Sequence, residues 1–553
     1  MAFQAQKARR DARERASASR AAPARTDEVP AEPVYALGGT PLELEATASQ
    51  GRGLRLATGS GGVTAGTTLL CVEDTVSVLY TTQLGVRCHY CFAQSDSGLL
   101  RCSQCRFARY CNATCQAAGW KQARHRDECG ALQRWYASAG PGTLPDLAQD
   151  PGPTVRALAQ LLWRRRRQGP TWWAPFAAMQ SHRQAMATVE KGDIAQQAVR
   201  LAKFLGSESD LRALGIDSAK ALLELVCQWH TNAFTLTDAQ LDPIGVSLDP
   251  TVALLNHSCV PNAVVVWPST PQQRPCPMEV VALRALDEGE RVCISYVDLA
   301  APRDVRQQIL RERYHFTCDC PLCSRGSWAD PRTARWCSRP GCKGWVGPAT
   351  QGRGPRCYRC HECEVDTAAK EAVVAEALEL VPHIHRGMHT TLDDKLVARL
   401  RAVLPRLTDI APPSHYAMWT LVYAAHVLAI ERHDWDEAIQ LTMLLCAGMQ
   451  ARGARDESSQ LFPPGHPQRA VLLATLGRLW LQAPPRPTPS PLLARAVPWP
   501  SSPMARAQLA RTVLEQALAE AQIGFGARTQ GGWVAQNVRE SLYNWAQGSS
   551  ALA

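Results

Sequence analysis

The sequence lacks an apolar segment long enough to cross a membrane, and we expect no signal peptide. Its longest apolar run, Tyr416 to Ile430, is shorter than a membrane span and contains His426. A large excess of one charge sign is also missing, because 60 lysines and arginines stand against 50 acids and the basic residues are dispersed. With no recognition helix or basic stripe, we expect a soluble protein that has no membrane partner and binds nucleic acid weakly or not at all.

The pattern of a disulfide framework is missing as well, although the chain has 21 cysteines. They occur in clusters at metal-ligand spacings, which favours a reducing intracellular compartment where thiols stay free to bind zinc. Large apolar residues are scarce before position 35, so residues 1–40 are predicted to be a disordered tail. A transit peptide is the alternative, and Asp11 and Glu14 among the arginines count against it.

Seven cysteines and His125 lie at ligand spacings within the 42 residues from Cys88 to Cys129. Spacings of two or three residues let one turn present both members of a ligand pair, and eight ligands suffice for two tetrahedral zinc sites. The predicted ligands are Cys88, Cys91, Cys102, Cys105, Cys111, Cys115, His125 and Cys129. His89 lies inside the first pair and is left out, because that pair is already complete.

The segment from Leu254 to Asn262 contains Asn256, His257 and Cys259 in succession with Ser258. Alone it would be read as a turn whose polar side chains bond their own backbone. Further along the chain, a turn at Gly289 leads into a predicted strand that ends on Tyr296, and Cys318, Cys320 and Cys323 follow. These three cysteines are one ligand short of a closed zinc site.

A further cysteine group reads as a small zinc ribbon, with Cys363 left as a spare. Its predicted ligands are Cys337, Cys342, Cys357 and Cys360. Around these groups, apolar spacings of three and four predict helices near residues 155–162, 195–205 and 219–229, and β-branched runs predict strands at 67–72, 264–267 and 279–284.

In this order the motifs resemble those of the SET and MYND domain-containing (SMYD-type) protein lysine methyltransferases. The finger resembles a MYND finger, whose pairs interleave, which places Cys88, Cys91, Cys111 and Cys115 on one ion and Cys102, Cys105, His125 and Cys129 on the other. The resemblance also supplies Cys259 as the fourth ligand to Cys318, Cys320 and Cys323. One departure is at Ala65 to Thr68, where the family usually shows Gly followed by an acidic residue.

The resemblance implies S-adenosylmethionine as cofactor and three or four structural Zn²⁺ ions. Tyr296 would be the catalytic residue and His257 would not be a general base. Tyr314 and Phe316 would wall the cofactor and the lysine channel. The implied cofactor-binding residues are Gly51, Arg52, Gly53, Leu54, Asn232, Asn256, His257, Tyr296, Tyr314 and Phe316.

The implied fold is α+β, a split β-rich SET domain that carries the finger and a helical insert, followed by a cysteine-rich region and a C-terminal helical, tetratricopeptide-like domain. The expected order is a tail at 1–40, the first SET part at 41–87, the MYND finger at 88–129, the insert at 130–240, the SET core at 241–300, the post-SET zinc region at 301–325, the ribbon at 333–365 and the helical domain at 366–553.

The expected function is S-adenosylmethionine-dependent protein-lysine N-methylation, in nucleus and cytoplasm, of histone tails and other proteins. A proline-rich peptide is the expected partner of the finger. The rival hypothesis is a non-catalytic MYND and tetratricopeptide-like scaffold that recruits transcriptional regulators. Between Thr231 and Ala300, eight acids face three arginines, which predicts either solvated turns or a groove for a basic peptide with a salt-sensitive Michaelis constant. The acids are Asp238, Asp242, Asp249, Glu279, Asp287, Glu288, Glu290 and Asp298.

Overall fold

A computed structural model describes most of the chain between residues 33 and 550. The residues in that range that it does not describe are 48–50, 74, 96–97, 122–124, 138–148, 187, 269–275, 325–329, 343, 347–356, 358, 361–367, 388–391, 451–459, 483–498 and 501. Most of the predicted N-terminal tail and the spare Cys363 therefore lie outside the described residues. The described part is a mixture of helices and small sheets, as the α+β expectation requires.

Short sheets form a β core from two separated parts of the chain, and all but one of the described strand pairs in it are antiparallel. The strands of this core are β1 (Leu42–Thr47), β2 (Gly51–Leu56), β3 (Thr68–Val72), β4 (Val76–Leu79), β7 (Phe234–Thr237), β8 (Pro243–Leu248), β9 (Asn256–His257), β10 (Ala263–Val266), β11 (Met278–Ala282) and β12 (Cys293–Ile294). They pair as β1–β2, β10–β11–β3, β4–β8–β7 and β12–β9. Strands predicted from β-branched runs at 67–72, 264–267 and 279–284 correspond to β3, β10 and β11.

Strand β9 lies parallel to β12, with Asn256 opposite Cys293 and His257 opposite Ile294. We call this pairing the crossing. Asn262 holds this crossing, because its amide donates to the carbonyl of Arg291 (2.8 Å) and its Oδ1 accepts from the backbone N–H of Cys293 (2.8 Å). The prediction of a strand that ends on Tyr296 is wrong, since β12 ends at Ile294. Tyr296 lies two residues further on, in a bend. Its backbone N–H donates to the His257 side chain instead of to a neighbouring strand.

The finger and the helical insert separate the two parts of the β core. The finger has the strands β5 (Leu100–Arg101) and β6 (Arg109–Tyr110) and the helices α1 (Ala113–Lys121) and α2 (Arg126–Ala137). The insert has α3 (Pro153–Gln168), α4 (Pro170–Ala177), α5 (Thr188–Leu205), α6 (Glu208–Ala213) and α7 (Ala219–Asn232). The three predicted insert helices correspond to α3, α5 and α7. Proline at the first position of α3, after Gly152 with φ of 93°, explains where that helix begins.

Two short cysteine-rich regions follow the β core. The first has α8 (Arg303–Tyr314) and α9 (Pro321–Ser324), and the second has β13 (Arg335–Trp336) paired with β14 (Trp345–Val346). His315 ends α8 in a left-handed conformation, with φ of 60°. This reversal turns the chain so that the residues after α8 run back towards the β core, and Phe316 contacts Tyr296.

Helices make up the described C-terminal region. They are α10 (Ala368–Gly387), α11 (Asp394–Thr408), α12 (Tyr416–Glu431), α13 (Trp435–Gln450), α14 (Pro467–Gln482), α15 (Pro503–Gly524) and α16 (Gly532–Ser550). Helix α12 is apolar on nearly all sides and is buried among its neighbours, none of the described helices being long and apolar enough to cross a bilayer. Residues after α15 dock on the β core, where Arg528 pairs with the fully buried carboxylate of Glu279.

Two buried histidines in this helical region predict that the protein loses stability in acid. Burial lowers the pKa of His415 to about 3 and that of His426 to about 4, from an ordinary value of 6.5. Below pH 6.5 the unfolded chain takes up these protons and the folded chain does not, so their contribution is complete above pH 6.5 and falls as the pH drops towards 4. The slope is at most about 1.4 kcal/mol per pH unit for each histidine.

Urea unfolding between pH 7.5 and 5.0 measures this slope. A double variant, His415→Gln with His426→Gln, should show a smaller loss than the parent, and loss of zinc at low pH is common to both proteins. Replacement of the exposed His383 by Gln is the control and should leave the slope unchanged. Equal slopes in the parent and the double variant would contradict the prediction.

Candidate functional site: four thiolate clusters and a cavity at the chain crossing

Sixteen side chains form four groups in which every ligand atom lies within 4.8 Å of the others. The groups are Cys88, Cys91, Cys111 and Cys115; Cys102, Cys105, His125 and Cys129; Cys259, Cys318, Cys320 and Cys323; and Cys337, Cys342, Cys357 and Cys360. These are the predicted sets, including the interleaved pairs of the finger and the recruitment of Cys259. Four cysteine or histidine ligands fit the closed tetrahedral site that structural zinc requires.

The second finger site is tied to the insert through a buried carboxylate. His125 Nδ1 lies 3.4 Å from Glu128 Oε2, and Arg156 of α3 donates from Nε to Glu128 Oε1 at 2.9 Å. Burial by itself would raise the pKa of Glu128, but Arg156 beside it holds that pKa at about 2. A carboxylate on the second nitrogen of a metal-binding histidine fixes the ring, so this network orients His125 towards its metal.

His89, which was excluded as a ligand, has a different role. Its Nδ1 accepts a hydrogen bond from the backbone N–H of Arg109 at 3.0 Å, and its ring packs edge-on against Phe107. Burial lowers the pKa of His89 to about 3, so the ring is neutral. His89 therefore holds the first cysteine loop against β6 without binding metal.

We expect four zinc ions per chain, because each of the four groups supplies a full ligand set. Metal analysis of purified full-length protein measures the ratio directly. Substitution of both Cys337 and Cys342 by Ser should lower the ratio by one and leave the finger sites loaded. Two or fewer ions per chain in the parent would contradict the ligand assignment.

A cavity of about 740 Å³ lies at the crossing of β9 and β12. Among its walls are eight residues predicted to bind the cofactor, namely Gly51, Arg52, Asn232, Asn256, His257, Tyr296, Tyr314 and Phe316. Four separate parts of the chain thus meet here: β2, the end of α7, the crossing and the segment after α8. A volume of this size suits a small-molecule ligand.

Asn256 joins β2 to the crossing. Its Nδ2 donates to the carbonyl of Arg52 at 3.4 Å, and a Cβ atom on Gly53 would come within 2.5 Å of that Nδ2. Gly53 therefore permits close approach of the two segments, which is a different reason for a glycine than contact with a ligand. Gly51 has φ of 68° and open space around its Cβ position.

Tyr296 is held at two points inside the cavity wall. Its backbone N–H donates to His257 Nδ1 at 3.0 Å, and its hydroxyl donates to the carbonyl of Leu255. Burial raises the pKa of Tyr296 above its ordinary value, so the hydroxyl stays protonated. His257 Nε2 faces Cys259 Sγ at 3.3 Å, so both ring nitrogens are engaged and neither is free to act as a base.

Aromatic rings surround Tyr296. The ring centroids of Tyr296 and Tyr314 are 4.8 Å apart, and Phe316 meets Tyr296 edge-on at 6.5 Å. Phe316 also packs 6.0 Å from the ring of His257. Tyr314 at the end of α8 and Phe316 just after it therefore pack around Tyr296, and their contact with a cofactor or a lysine stays a prediction.

Two of the predicted cofactor residues do not line the cavity. Gly53 lies behind Asn256, as described, and Leu54 is fully buried in the hydrophobic core with its carbonyl accepting from the N–H of Val292. Leu54 therefore does not line the cavity, and its assignment to the cofactor site stays a prediction.

Several lining residues were not predicted. They are Met179, Gln180 and His182 after α4, Arg313, His315 and Asp319 around the end of α8, Trp267 after β10, and His466 before α14. His182 and His315 lie 5.0 Å apart between ring centroids and both have positive φ, a local strain that has no sequence signature. Asn232, which was predicted, donates to the carbonyls of Gln180 and Gln228 and so fixes the loop after α4.

None of the eight acids between Thr231 and Ala300 lines the cavity. Glu288 accepts from the N–H groups of Gly59 and Gly61, and Asp249 accepts from those of Thr251 and Val252. Others are paired, as Glu279 is with Arg528. The expectation of a salt-sensitive Michaelis constant therefore loses its structural basis.

Comparison with known proteins agrees with the order of these sites. The MYND finger family model matches residues 88–129. N-lysine methyltransferase SMYD2 of Gallus gallus is 26% identical over 465 residues, which cover 82% of this chain and 92% of that protein. The human protein of the same name is 26% identical over 73% of this chain and 82% of its own length. The chain is thus similar to SMYD2 N-lysine methyltransferases over most of its length, and it contains a MYND finger.

Other relatives match over shorter stretches. N-lysine methyltransferase SMYD2-B of Danio rerio is 30% identical over 286 residues, which are 52% of this chain and 61% of that protein. Here the aligned part spans less than two thirds of the relative. The likeness to SMYD2 thus rests on the finger together with the longer alignments.

Proposed function

We propose that this SMYD-type chain is an S-adenosylmethionine-dependent methyltransferase that modifies lysine side chains of proteins. Its relatives carry the name N-lysine methyltransferase, and protein-lysine N-methyltransferase is the activity class that they support. The observation that carries the proposal is the position of Tyr296, held by His257 and the Leu255 carbonyl in the wall of the 740 Å³ cavity. The SET-type fold and the tetratricopeptide-like character of the C-terminal helices stay predictions.

The residues around the cavity fit the proposed cofactor. The side-chain amides of Asn232 and Asn256 lie in the cavity wall, where their carbonyl oxygens can accept hydrogen bonds from a ligand. Aromatic rings from Tyr314 and Phe316 provide apolar surface for the rest of the molecule. When bound, S-adenosylmethionine supplies an electrophilic methyl group on a sulfonium.

A lysine amine must lose its proton before it can attack that methyl group. The unperturbed pKa of lysine is about 10.4, and transfer into an apolar environment lowers it because the charged form is desolvated. The rings of Tyr296, Tyr314 and Phe316 provide such an environment and exclude water from the amine. They also restrict its direction of approach, which lowers the entropic part of the barrier.

Tyr296 contributes a neutral hydroxyl at a fixed position. Because the hydroxyl donates a hydrogen bond to the Leu255 carbonyl, its oxygen lone pairs are left to face polarised C–H groups or the amine. Such pre-arranged electrostatic contacts need no reorganisation during the reaction. Metal has no part in this chemistry, since the four cysteine clusters are closed sets suited to structural zinc.

The substrate is proposed to be a lysine-bearing protein. Within the described chain, the charged groups at the cavity are Arg52, Arg313 and Asp319, which do not select a strongly basic peptide. A histone tail is therefore one member of the proposed substrate range and other proteins are equally included. A proline-rich peptide on the finger and a location in nucleus and cytoplasm also stay predictions.

Incubation of the full-length protein with labelled S-adenosylmethionine, core histones and cell extract tests the proposal. Mass spectrometry should locate the label on lysine Nζ, with a lysine-to-arginine version of the modified peptide as the control. Tight cofactor binding without label transfer to any protein would favour the scaffold that recruits transcriptional regulators. Transfer to a residue type other than lysine would overturn the proposed activity.

A further inference from the structure

One sulfur atom receives two hydrogen bonds from outside its own zinc site. Cys259 Sγ lies 3.3 Å from His257 Nε2 and 3.3 Å from Arg306 Nε. Both donors are side chains of residues that supply no ligand to the cluster. Cys259 itself is 4% exposed, and Cys323 Sγ lies 3.6 Å away in the same ligand set.

The bonding pattern of His257 fixes the direction of one of these contacts. The backbone N–H of Tyr296 donates to His257 Nδ1, so that nitrogen carries no hydrogen. The hydrogen of the neutral ring is then on Nε2, where it points at Cys259 Sγ. An unbroken chain of hydrogen bonds therefore runs from the zinc ligand through the imidazole to the main chain of Tyr296.

The charge of the cluster explains the second donor. One Zn²⁺ ion and the four thiolates of this set have a formal charge of 2 − 4 = −2. A buried charge of that size requires compensation by nearby donors or cations. Arg306 is 1% exposed, and among the described residues its guanidinium bonds the Ala301 carbonyl and Cys259 Sγ and forms no ion pair with a carboxylate.

We propose that His257 and Arg306 are positioning residues that couple the zinc site of Cys259, Cys318, Cys320 and Cys323 to Tyr296. Arg306 compensates the charge of the Cys259 thiolate and keeps it in place. His257 bonds both the Cys259 sulfur and the backbone N–H of Tyr296, so the position of Cys259 sets the position of residue 296. The side-chain hydroxyl of Tyr296 is fixed separately on the Leu255 carbonyl. The effect on catalysis rests on the proposed function, whereas the effect on zinc does not.

Two substitutions of His257 separate its hydrogen bond to Cys259 from its hydrogen bond to Tyr296. Asparagine places an oxygen near the position of Nδ1 and keeps the acceptor for Tyr296, while glutamine places an N–H near Nε2 and keeps the donor for Cys259. We expect His257→Asn to release one zinc ion to a chelator about 10- to 100-fold faster than the parent. His257→Gln should release zinc at close to the parent rate. Its kcat should fall, while its KM should change less than kcat does.

Substitutions of Arg306 test the zinc site independently of the cavity, because Arg306 does not line the cavity. Arg306→Met should accelerate release of the same zinc ion by about 10- to 100-fold, and Arg306→Lys, which keeps the charge, should restore part of the loss. Arg311→Met on the exposed side of α8 is the matched control and should match the parent. The His257→Asn and Arg306→Met effects should be non-additive, since they act on one sulfur atom.

A measurement on the parent protein protects the test against misfolded variants. Nitrogen-15 shifts of labelled His257 report which ring nitrogen carries the hydrogen, and we expect Nε2. A ring protonated on Nδ1, or parent-like zinc release in both His257→Asn and Arg306→Met, would overturn the proposal. Zinc release and ring shifts need no substrate, so a protein that fails to methylate lysine can still pass or fail this test.

Discussion

Replacing Tyr296 with phenylalanine is expected to slow methyl transfer by about 100-fold or more while the protein still folds and binds S-adenosylmethionine. The substitution removes a single oxygen atom from the cavity wall and leaves the aromatic ring among Tyr314 and Phe316. The loss should fall on kcat, because the hydroxyl acts at the reacting centre rather than on the ground-state complex. Single-turnover methylation and calorimetric titration of the cofactor measure the two quantities.

The Tyr296→Phe substitution keeps the backbone contact of residue 296. His257 Nδ1 accepts from the main-chain N–H, which phenylalanine keeps, so the backbone of residue 296 should stay in place although the hydroxyl bond to the Leu255 carbonyl is lost. The exposed Tyr543→Phe is a control for the chemical change itself. A parent-like rate in Tyr296→Phe would make Tyr296 a packing residue and would favour the scaffold hypothesis.

Replacing Cys259 with serine is expected to remove one of four zinc ions and to abolish methylation, with a loss of more than about 100-fold. Serine is a poor zinc ligand, and the remaining set of Cys318, Cys320 and Cys323 would be incomplete. The segment after α8 would then lose its attachment to the chain crossing. Tyr314 and Phe316 would no longer be held against Tyr296, although Cys259 does not line the cavity itself.

Metal analysis and a methylation assay on the same preparation measure both effects. Cys71→Ser is the matched control, because Cys71 is exposed in β3 and belongs to none of the four ligand sets. It should keep four zinc ions and full activity. Full activity in Cys259→Ser with three ions bound would show that the post-SET zinc does not support the cavity.

Predictions based on local spacing were the most successful. A pair such as Cys88 and Cys91 is brought together by a single turn, so its ligand role depends little on the rest of the fold. Helix α7 likewise follows from apolar spacing and the N-cap Ser218, whose side chain accepts from the N–H of Ala221. Cysteine spacing and hydrophobic periodicity are properties that a short stretch of chain already contains.

Predictions that depended on how a segment faces its neighbours were less successful. Leu54 was grouped with the glycines before it, but its side chain lies in the hydrophobic core and does not line the cavity. Tyr296 was placed at a strand end, whereas β12 stops at Ile294 and a side chain of the crossing segment satisfies the next N–H. Composition could not distinguish an acid in a groove from one that caps backbone N–H groups, as Glu288 does.

The sequence by itself determined the ligand sets of the finger, the helices and main strands, and the order of motifs on which the SMYD-type resemblance depends. Only the tertiary structure joined His257 to Tyr296, placed Arg306 beside Cys259, and added residues such as His182 and His466 to the cavity. The physical reason is distance along the chain. Contacts between remote segments depend on how the chain crosses itself and which faces it buries, and those outcomes are set by packing of the whole core rather than by any local pattern.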